Sequence, residues 1–114
     1  NRINTSLPPD IMHEEVVRCG KLIFYRFKRF VEVEGVGSQQ LTPKLTDLLE
    51  IFLRHPLQVI SRRQLMIDVW QTDYVGDTRT LDVHVRWIRE YIEPDPANPQ
   101  HLVTVRGEGY TFRP

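Results

Sequence analysis

Cysteine, an excess of charge of either sign and long apolar runs are what this 114-residue sequence lacks. A single cysteine, Cys19, excludes an internal disulfide framework and a cysteine-rich zinc module. No apolar run approaches the roughly 18 residues that cross a bilayer, and no secretory signal opens the chain. The histidines His13, His55, His84 and His101 are scattered, without HExxH or Cys/His spacing, so no metal site is expected. There is no GxSxG, no glycine-rich phosphate loop and no nucleophile beside a base, so neither an enzyme nor a cofactor is expected. Charge of one sign is missing as well: 15 Lys+Arg stand against 15 Asp+Glu, a formal net of zero. That balance excludes gripping nucleic acid by bulk electrostatics alone, and a nucleic-acid reading requires the charges to be segregated.

What remains is ordinary globular material, 40% hydrophobic and 26% charged, long enough for one domain with one core. Residues 1–14, polar and carrying Pro8-Pro9, read as a linker remnant, and the start at Asn1 suggests a piece of something longer. Residues 15–114 form the expected domain. From Glu15 to about Val33 the β-branched and aromatic positions Val16, Val17, Leu22 to Phe24, Phe27, Phe30, Val31 and Val33 favour short antiparallel strands. Gly35-Val36-Gly37-Ser38 reads as the turn leaving them.

The helices are clearer. Thr42-Pro43 is a start signal, because threonine caps orphan N–H groups and proline fits the first helical position. Leu45, Leu48, Leu49, Phe52 and Leu53 then share one face, and Pro56 predicts a stop near His55. Ser61 with Gln64 reads as a capping box, and Ile60 with Leu65 as a hydrophobic staple. Leu65, Met66, Val69 and Trp70 supply the second buried side. A third helix from about Thr78 to Ile92, capped by Asp77 or Thr78, carries the stripe Leu81, Val85, Ile88 and Ile92. Three prolines between Glu93 and Gln100 require an extended loop, and Leu102–Val105 and Tyr110–Phe112 flank a glycine-bearing hairpin tip. The expected fold is α+β: a winged helix-turn-helix with a short N-terminal antiparallel sheet, three helices and a C-terminal β-hairpin wing.

A third helix with that stripe must expose Arg79, Asp82, Val83, Arg86, Trp87 and Glu90, with Arg89 at the margin. Arginine pairs bidentately with guanine, aspartate accepts from the cytosine amino group, and valine meets the thymine methyl, so such a face suits a major groove. A solvated face with an Asp82–Arg86 pair is the bland alternative, and it leaves Val83 and Trp87 unexplained. Arg106 at the hairpin tip suits a minor groove, and Thr104 beside it satisfies either a backbone group or a ligand.

The runs Arg79-Thr80-Leu81-Asp82-Val83-His84-Val85-Arg86, Glu93-Pro94-Asp95-Pro96-Ala97-Asn98-Pro99 and Thr104-Val105-Arg106-Gly107-Glu108-Gly109-Tyr110 together resemble the OmpR/PhoB-type response-regulator effector domain. Leu41-Thr42-Pro43, Ser61-Arg62, Gln64-Leu65 and Val69-Trp70 fit the same pattern upstream. The resemblance spans about Glu15 to Arg113. It implies a four-stranded N-terminal sheet, double-stranded DNA bound by tandem copies on direct repeats, and control by an upstream receiver domain that this chain does not contain. It also implies a bacterial, cytoplasmic transcription regulator, associated with the nucleoid when bound. By position it places Asp82, Val83 and Arg86 on bases, with Trp87 on the same face and Arg106 in the wing. Trp70, Arg79, Thr80, His84, Arg89 and Thr104 fall near the DNA backbone. It makes the loop Gln71, Thr72, Asp73, Tyr74, Val75, Gly76 and Asp77 a contact for RNA polymerase. Trp87 departs from the pattern, standing where many relatives have a second basic residue, and Gln71 replaces a frequent glycine.

Two other classes use the same residues differently. Val83, Trp87 and Tyr91 would form an apolar patch in a winged helix that binds only protein. RNA binding would require stacking aromatics, most of which fall on expected core faces. Salt separates the readings, since phosphate contacts weaken steeply with ionic strength. The charge is not divided by halves: residues 1–60 carry 8 Lys+Arg against 7 Asp+Glu, and residues 61–114 carry 7 against 8. Any segregation must be local, with Arg79, Arg86, Arg89 and Arg106 converging while Asp68, Asp73, Glu93 and Asp95 face elsewhere.

Overall fold

The computed structural model describes residues 14–72 and 78–114. Strands β1 (Val16–Cys19), β2 (Leu22–Tyr25), β3 (Phe30–Val33) and β4 (Gly37–Gln40) form an antiparallel sheet in sequence order. Helices α1 (Pro43–Arg54), α2 (Arg62–Trp70) and α3 (Arg79–Ile92) follow, and β5 (Leu102–Val105) and β6 (Gly109–Phe112) close the chain as a hairpin. The expected order of strands, helices and wing is present. One element differs: Gly37 and Ser38, expected in a turn, belong to β4, where Gly37 faces Val33 and Gln40 faces Phe30. The segment Gly37–Gln40 has no apolar alternation to announce a strand. It is an edge held by ladder bonds and by the Gln40 amide, which donates to the carbonyls of Lys28 and Arg29.

The core is built from one face of each element. Leu22, Phe24 and Val31 of the sheet meet Leu45, Leu48, Leu49, Phe52 and Leu53 of α1. Leu65, Met66 and Val69 of α2 join Leu81, Val85, Ile88 and Ile92 of α3, with Leu102, Tyr110 and Phe112 of the hairpin beneath. Each fully buried Leu, Ile or Phe contributes about 1.5–3 kcal/mol relative to exposure, so removing one face dissolves the domain.

The expected helix signals operate with small changes. The Thr42 hydroxyl accepts from the Leu45 N–H at 3.2 Å, Pro43 occupies the first turn, and α1 stops with His55 as its C-cap. The Ser61 hydroxyl accepts from the Gln64 N–H at 3.0 Å, but the Gln64 side chain turns to Asp68, so only half of the capping box forms. Thr78 precedes α3 without a side-chain cap bond. Trp70, expected on the buried side of α2, is only partly buried.

The hairpin is fixed to the helices through the link between α1 and α2. The Leu57 N–H donates to the Phe112 carbonyl at 2.8 Å, and Ile60 exchanges backbone bonds with Tyr110 at 2.8 and 3.0 Å. The approach depends on Gly109: a Cβ there would lie 2.0 Å from the Ile60 carbonyl oxygen, and its φ of +148° is disfavoured for other residues. No helix among the described residues is long and apolar enough to cross a membrane.

Candidate nucleic-acid interface

Helix α3 buries Leu81, Val85, Ile88 and Ile92, as its spacing requires. Arg79, Thr80, Arg86, Trp87 and Glu90 are exposed, and Asp82, Val83, His84 and Arg89 are half-buried. The half-buried polar residues are engaged within the domain. Asp82 Oδ1 accepts from Arg62 at 2.5 Å and from the Tyr110 hydroxyl at 2.8 Å. Arg62 also donates to that hydroxyl at 3.0 Å, and its guanidinium lies 5.0 Å from the Tyr110 ring centre. The partner of Asp82 is therefore Arg62 on α2 rather than Arg86 one turn along. Burial, and then the hydrogen bond to Asp82, push the Tyr110 phenol up to about 12. This cluster joins α2, α3 and β6 through one carboxylate.

Arg89 performs a similar task lower on the helix. Its Nε donates to the Leu102 carbonyl and its Nη2 to the Thr104 hydroxyl, both at 2.9 Å. Burial pulls its pKa below the ordinary arginine value. Thr104, expected among wing contacts, is thus the residue by which Arg89 holds β5. The pair fixes where the wing stands relative to the helix.

An aromatic row covers the other flank. His84 lies between Trp70, 4.9 Å away edge to face, and Trp87, 5.1 Å away and tilted. Its Nδ1 is 2.8 Å from the Thr80 carbonyl, which sets the ring plane. Trp87 remains 40% exposed despite this bracing. Solvation alone does not account for so large an apolar surface on an outward helix face.

At the wing tip Arg106 is exposed, in a turn closed by the Glu108 N–H bonding to the Val105 carbonyl at 2.9 Å. Gly107 there has φ +77°, so glycine lets the chain reverse while Arg106 projects. Among the described residues, neither Arg86 nor Arg106 forms an ion pair with a carboxylate. Gln71 ends α2 in the left-handed region (φ +52°, ψ +41°), the backbone state that glycine adopts without strain. Its side chain donates to the Asp68 carbonyl at 3.2 Å. Of the loop expected to meet RNA polymerase, Gln71 and Thr72 are described, and Asp73, Tyr74, Val75, Gly76 and Asp77 lie outside the described residues.

Arg62 and Tyr110 stand in the family motifs, but spacing gave them no role, because partners 20 and 28 residues from Asp82 leave no local signal. Glu93, expected at the start of the extended loop and away from the arginine surface, is 2% exposed. Its carboxylate accepts from the backbone N–H groups of Gln100, His101 and Leu102 at 2.8–2.9 Å. The proline-rich loop that follows α3 is thereby folded back against the base of the wing. Among the described residues no group of three or more His, Cys, Asp or Glu could hold a metal ion.

A four-stranded sheet, a helix pair, an outward third helix and a wing locked to it define a winged-helix domain. The family model "Transcriptional regulatory protein, C terminal" matches residues 37–112, and the chain belongs to that family, one of transcriptional regulators and not of enzymes. It is 62% identical over 95 residues to the sensory transduction protein RegX3 of Mycobacterium leprae, covering 83% of this chain and 48% of that protein. It is 56% identical over 70 residues to the alkaline phosphatase synthesis transcriptional regulatory protein SphR of Synechococcus elongatus, covering 61% and 27%. The chain thus spans about a quarter to a half of the length of these relatives. Among solved structures, the Klebsiella pneumoniae RstA DNA-binding domain in complex with the RstA box superposes with a TM-score of 0.76 at 25% identity, covering 87% of this chain and 97% of that one. The Thermotoga maritima response regulator DrrB, an OmpR/PhoB homologue, gives 0.75 at 25% identity, covering 87% and 44%.

Proposed function

We propose that the domain is the sequence-specific, double-stranded DNA-binding effector of a two-component transcriptional regulator. Helix α3 enters the major groove with Val83, Arg86 and Trp87 toward the bases, and Arg106 on the wing reaches the adjacent minor groove. The observation that carries this reading is the pair of open arginines, Arg86 and Arg106, on two elements bound into one unit by Asp82, Tyr110 and Arg89. A helix and a wing held in fixed relation suit simultaneous contact with two grooves. Among relatives, RstA has been solved on its DNA box as an isolated domain, which supports the same use here. With zero net charge the non-specific attraction is weak, so two copies on direct repeats about 10 bp apart are needed for tight binding. The receiver domain that governs pairing, a contact of the 71–77 loop with RNA polymerase, and action in the bacterial cytoplasm at the nucleoid belong to the same proposal.

The roles within α3 differ from a simple reading of its face. Asp82, Arg89 and Thr104 act first as positioning residues, while Trp70, Arg79, Thr80 and His84 stand beside the groove-facing side chains, toward the DNA backbone. Selection from random duplexes with the purified domain should enrich one motif, and Arg86→Ala should then lose about 1–3 kcal/mol and relax one position of it. Absence of any enriched motif would overturn the reading.

A further inference from the structure

We infer that Trp87 selects thymine at one position of the bound site, through apolar contact with the 5-methyl group in the major groove. The inference rests on α3 being the groove-facing helix, and it concerns what that helix reads. Most polar side chains that could hydrogen-bond a base from this face are committed elsewhere. Asp82 is held by Arg62 and Tyr110, Arg89 is turned to Leu102 and Thr104, and the His84 ring is bonded to the Thr80 carbonyl. Arg86 is exposed, and half-buried Val83 and exposed Trp87, one helical turn apart, lie side by side next to it.

Trp87 is also held in place. The His84 ring lies 5.1 Å from it, and Trp70 backs His84 at 4.9 Å, so the indole leans on a two-ring buttress that α2 and α3 supply together. A large side chain kept 40% exposed in a fixed attitude loses little freedom when a ligand covers it. Thymine is the one base that presents an apolar group in the major groove, which makes its methyl the complementary partner for that surface. The indole N–H is a donor only, so an arginine-type bidentate grip on guanine is not available at this position. The expected consequence is a site with a thymine whose discrimination survives in high salt, because a methyl contact releases no counterion.

The test uses the duplex enriched from the random library, with each thymine replaced in turn by uracil, which removes the methyl and leaves every hydrogen-bonding group. The parent domain should lose about three- to fivefold in affinity at one or two positions. In Trp87→Ala the loss at one of those positions should disappear, while Trp87→Leu should retain part of it. Equal binding of every uracil duplex by the parent would overturn the proposal, as would a methyl effect that Trp87→Ala leaves unchanged. A Trp87→Ala variant that keeps the methyl effect and loses only cooperativity on the tandem site would overturn it in favour of a contact between copies. If a motif is enriched and Arg86→Ala relaxes it, failure of the uracil test removes only the role of Trp87. If no motif is enriched, the reading of α3 itself falls and the inference with it.

Discussion

On the sheet side of the domain Arg26 bridges Glu50 at 2.7 Å and Asp47 at 3.3 Å, and Arg54 bridges Glu50 at 2.9 Å and Glu15 at 2.7 Å. On the helix–wing side Arg86 and Arg106 are exposed and, among the described residues, meet no carboxylate. Both sides contain arginine, and the total charge is zero. The difference lies in where the acidic residues stand. Carboxylates on α1 neutralise the guanidinium groups that tie the sheet to the helices. The carboxylate in the first turn of α3, Asp82, is consumed by Arg62 and Tyr110, while Glu90 stays exposed further along the same helix. A neutral chain can therefore leave particular arginines open on one side while those on the other are closed in pairs.

The two sides also use glycine differently, and this predicts the largest effect. Gly109 lets β6 meet Ile60, whose carbonyl oxygen would be 2.0 Å from an added Cβ. Gly35, in the turn between β3 and β4, has φ +84° and nothing within 4 Å of such an atom. Gly109→Ala should cost about 3–5 kcal/mol, because strain and a backbone clash add and the hairpin must leave its seat. Gly35→Ala should cost only about 1 kcal/mol, the conformational term alone. Urea denaturation of the two variants measures both. Equal losses would mean that the close approach of wing and helix link contributes nothing to stability.

How much of this was legible follows from the range of the interactions. The stripes Leu45-Leu48-Leu49-Phe52 and Leu81-Val85-Ile88-Ile92 show in the sequence because a helix repeats its neighbours every three or four residues. The tip at Gly107 and the stop before Pro56 are likewise local events. Strand β4 was not legible, because Gly-Ser-Gln-Gln pairs through backbone groups that every residue possesses. Nor was Glu93, whose three backbone donors come from residues 7 to 9 positions later, around a loop with no regular period. The face of α3 was readable; which of its polar residues were engaged was not. Arg62, 20 positions from Asp82, and Thr104, 15 from Arg89, become neighbours only when α2 and the wing pack against α3.

A second contrast is between two tyrosines. Tyr110 is buried on the wing side with its pKa pushed up to about 12, first by burial and then by its bond to Asp82. Tyr25 lies on the sheet side, where its hydroxyl donates to Glu32 at 2.6 Å, and that bond raises its pKa. For Tyr110 the folded state holds its proton above pH 10, where the unfolded chain, titrating near 10, releases it. Its contribution to stability is whole below pH 10 and is lost as pH rises through about 12. The loss attributable to this phenol is about 2–3 kcal/mol. Tyr110→Phe, which keeps the ring and removes the hydroxyl, should flatten thermal stability between pH 9.5 and 11.5 relative to the parent, whereas Tyr25→Phe, which removes a more exposed phenol, should flatten it less. If the parent shows no alkaline slope that Tyr110→Phe removes, the hydroxyl does not tie the wing to α3.

The smallest expected effect bears most directly on the two populations of arginine. Arg26→Met keeps the aliphatic stem and removes a guanidinium that sits 26% exposed against Glu50 and Asp47. Such partly exposed pairs contribute little, so stability should fall by about 0.5–1 kcal/mol. The variant nevertheless lowers the net charge of the domain by one, as Arg86→Ala does. At physiological salt exposed charges are screened within about 8 Å, so a charge removed from the sheet side should not reach DNA held by α3 and the wing. Arg26→Met should bind the selected duplex within about twofold of the parent, with an unchanged dependence on salt, while Arg106→Ala lowers the salt slope by about one. Comparable losses in the two variants would show that net charge rather than its placement governs binding, and the division of the molecule into a neutralised side and an open side would fail.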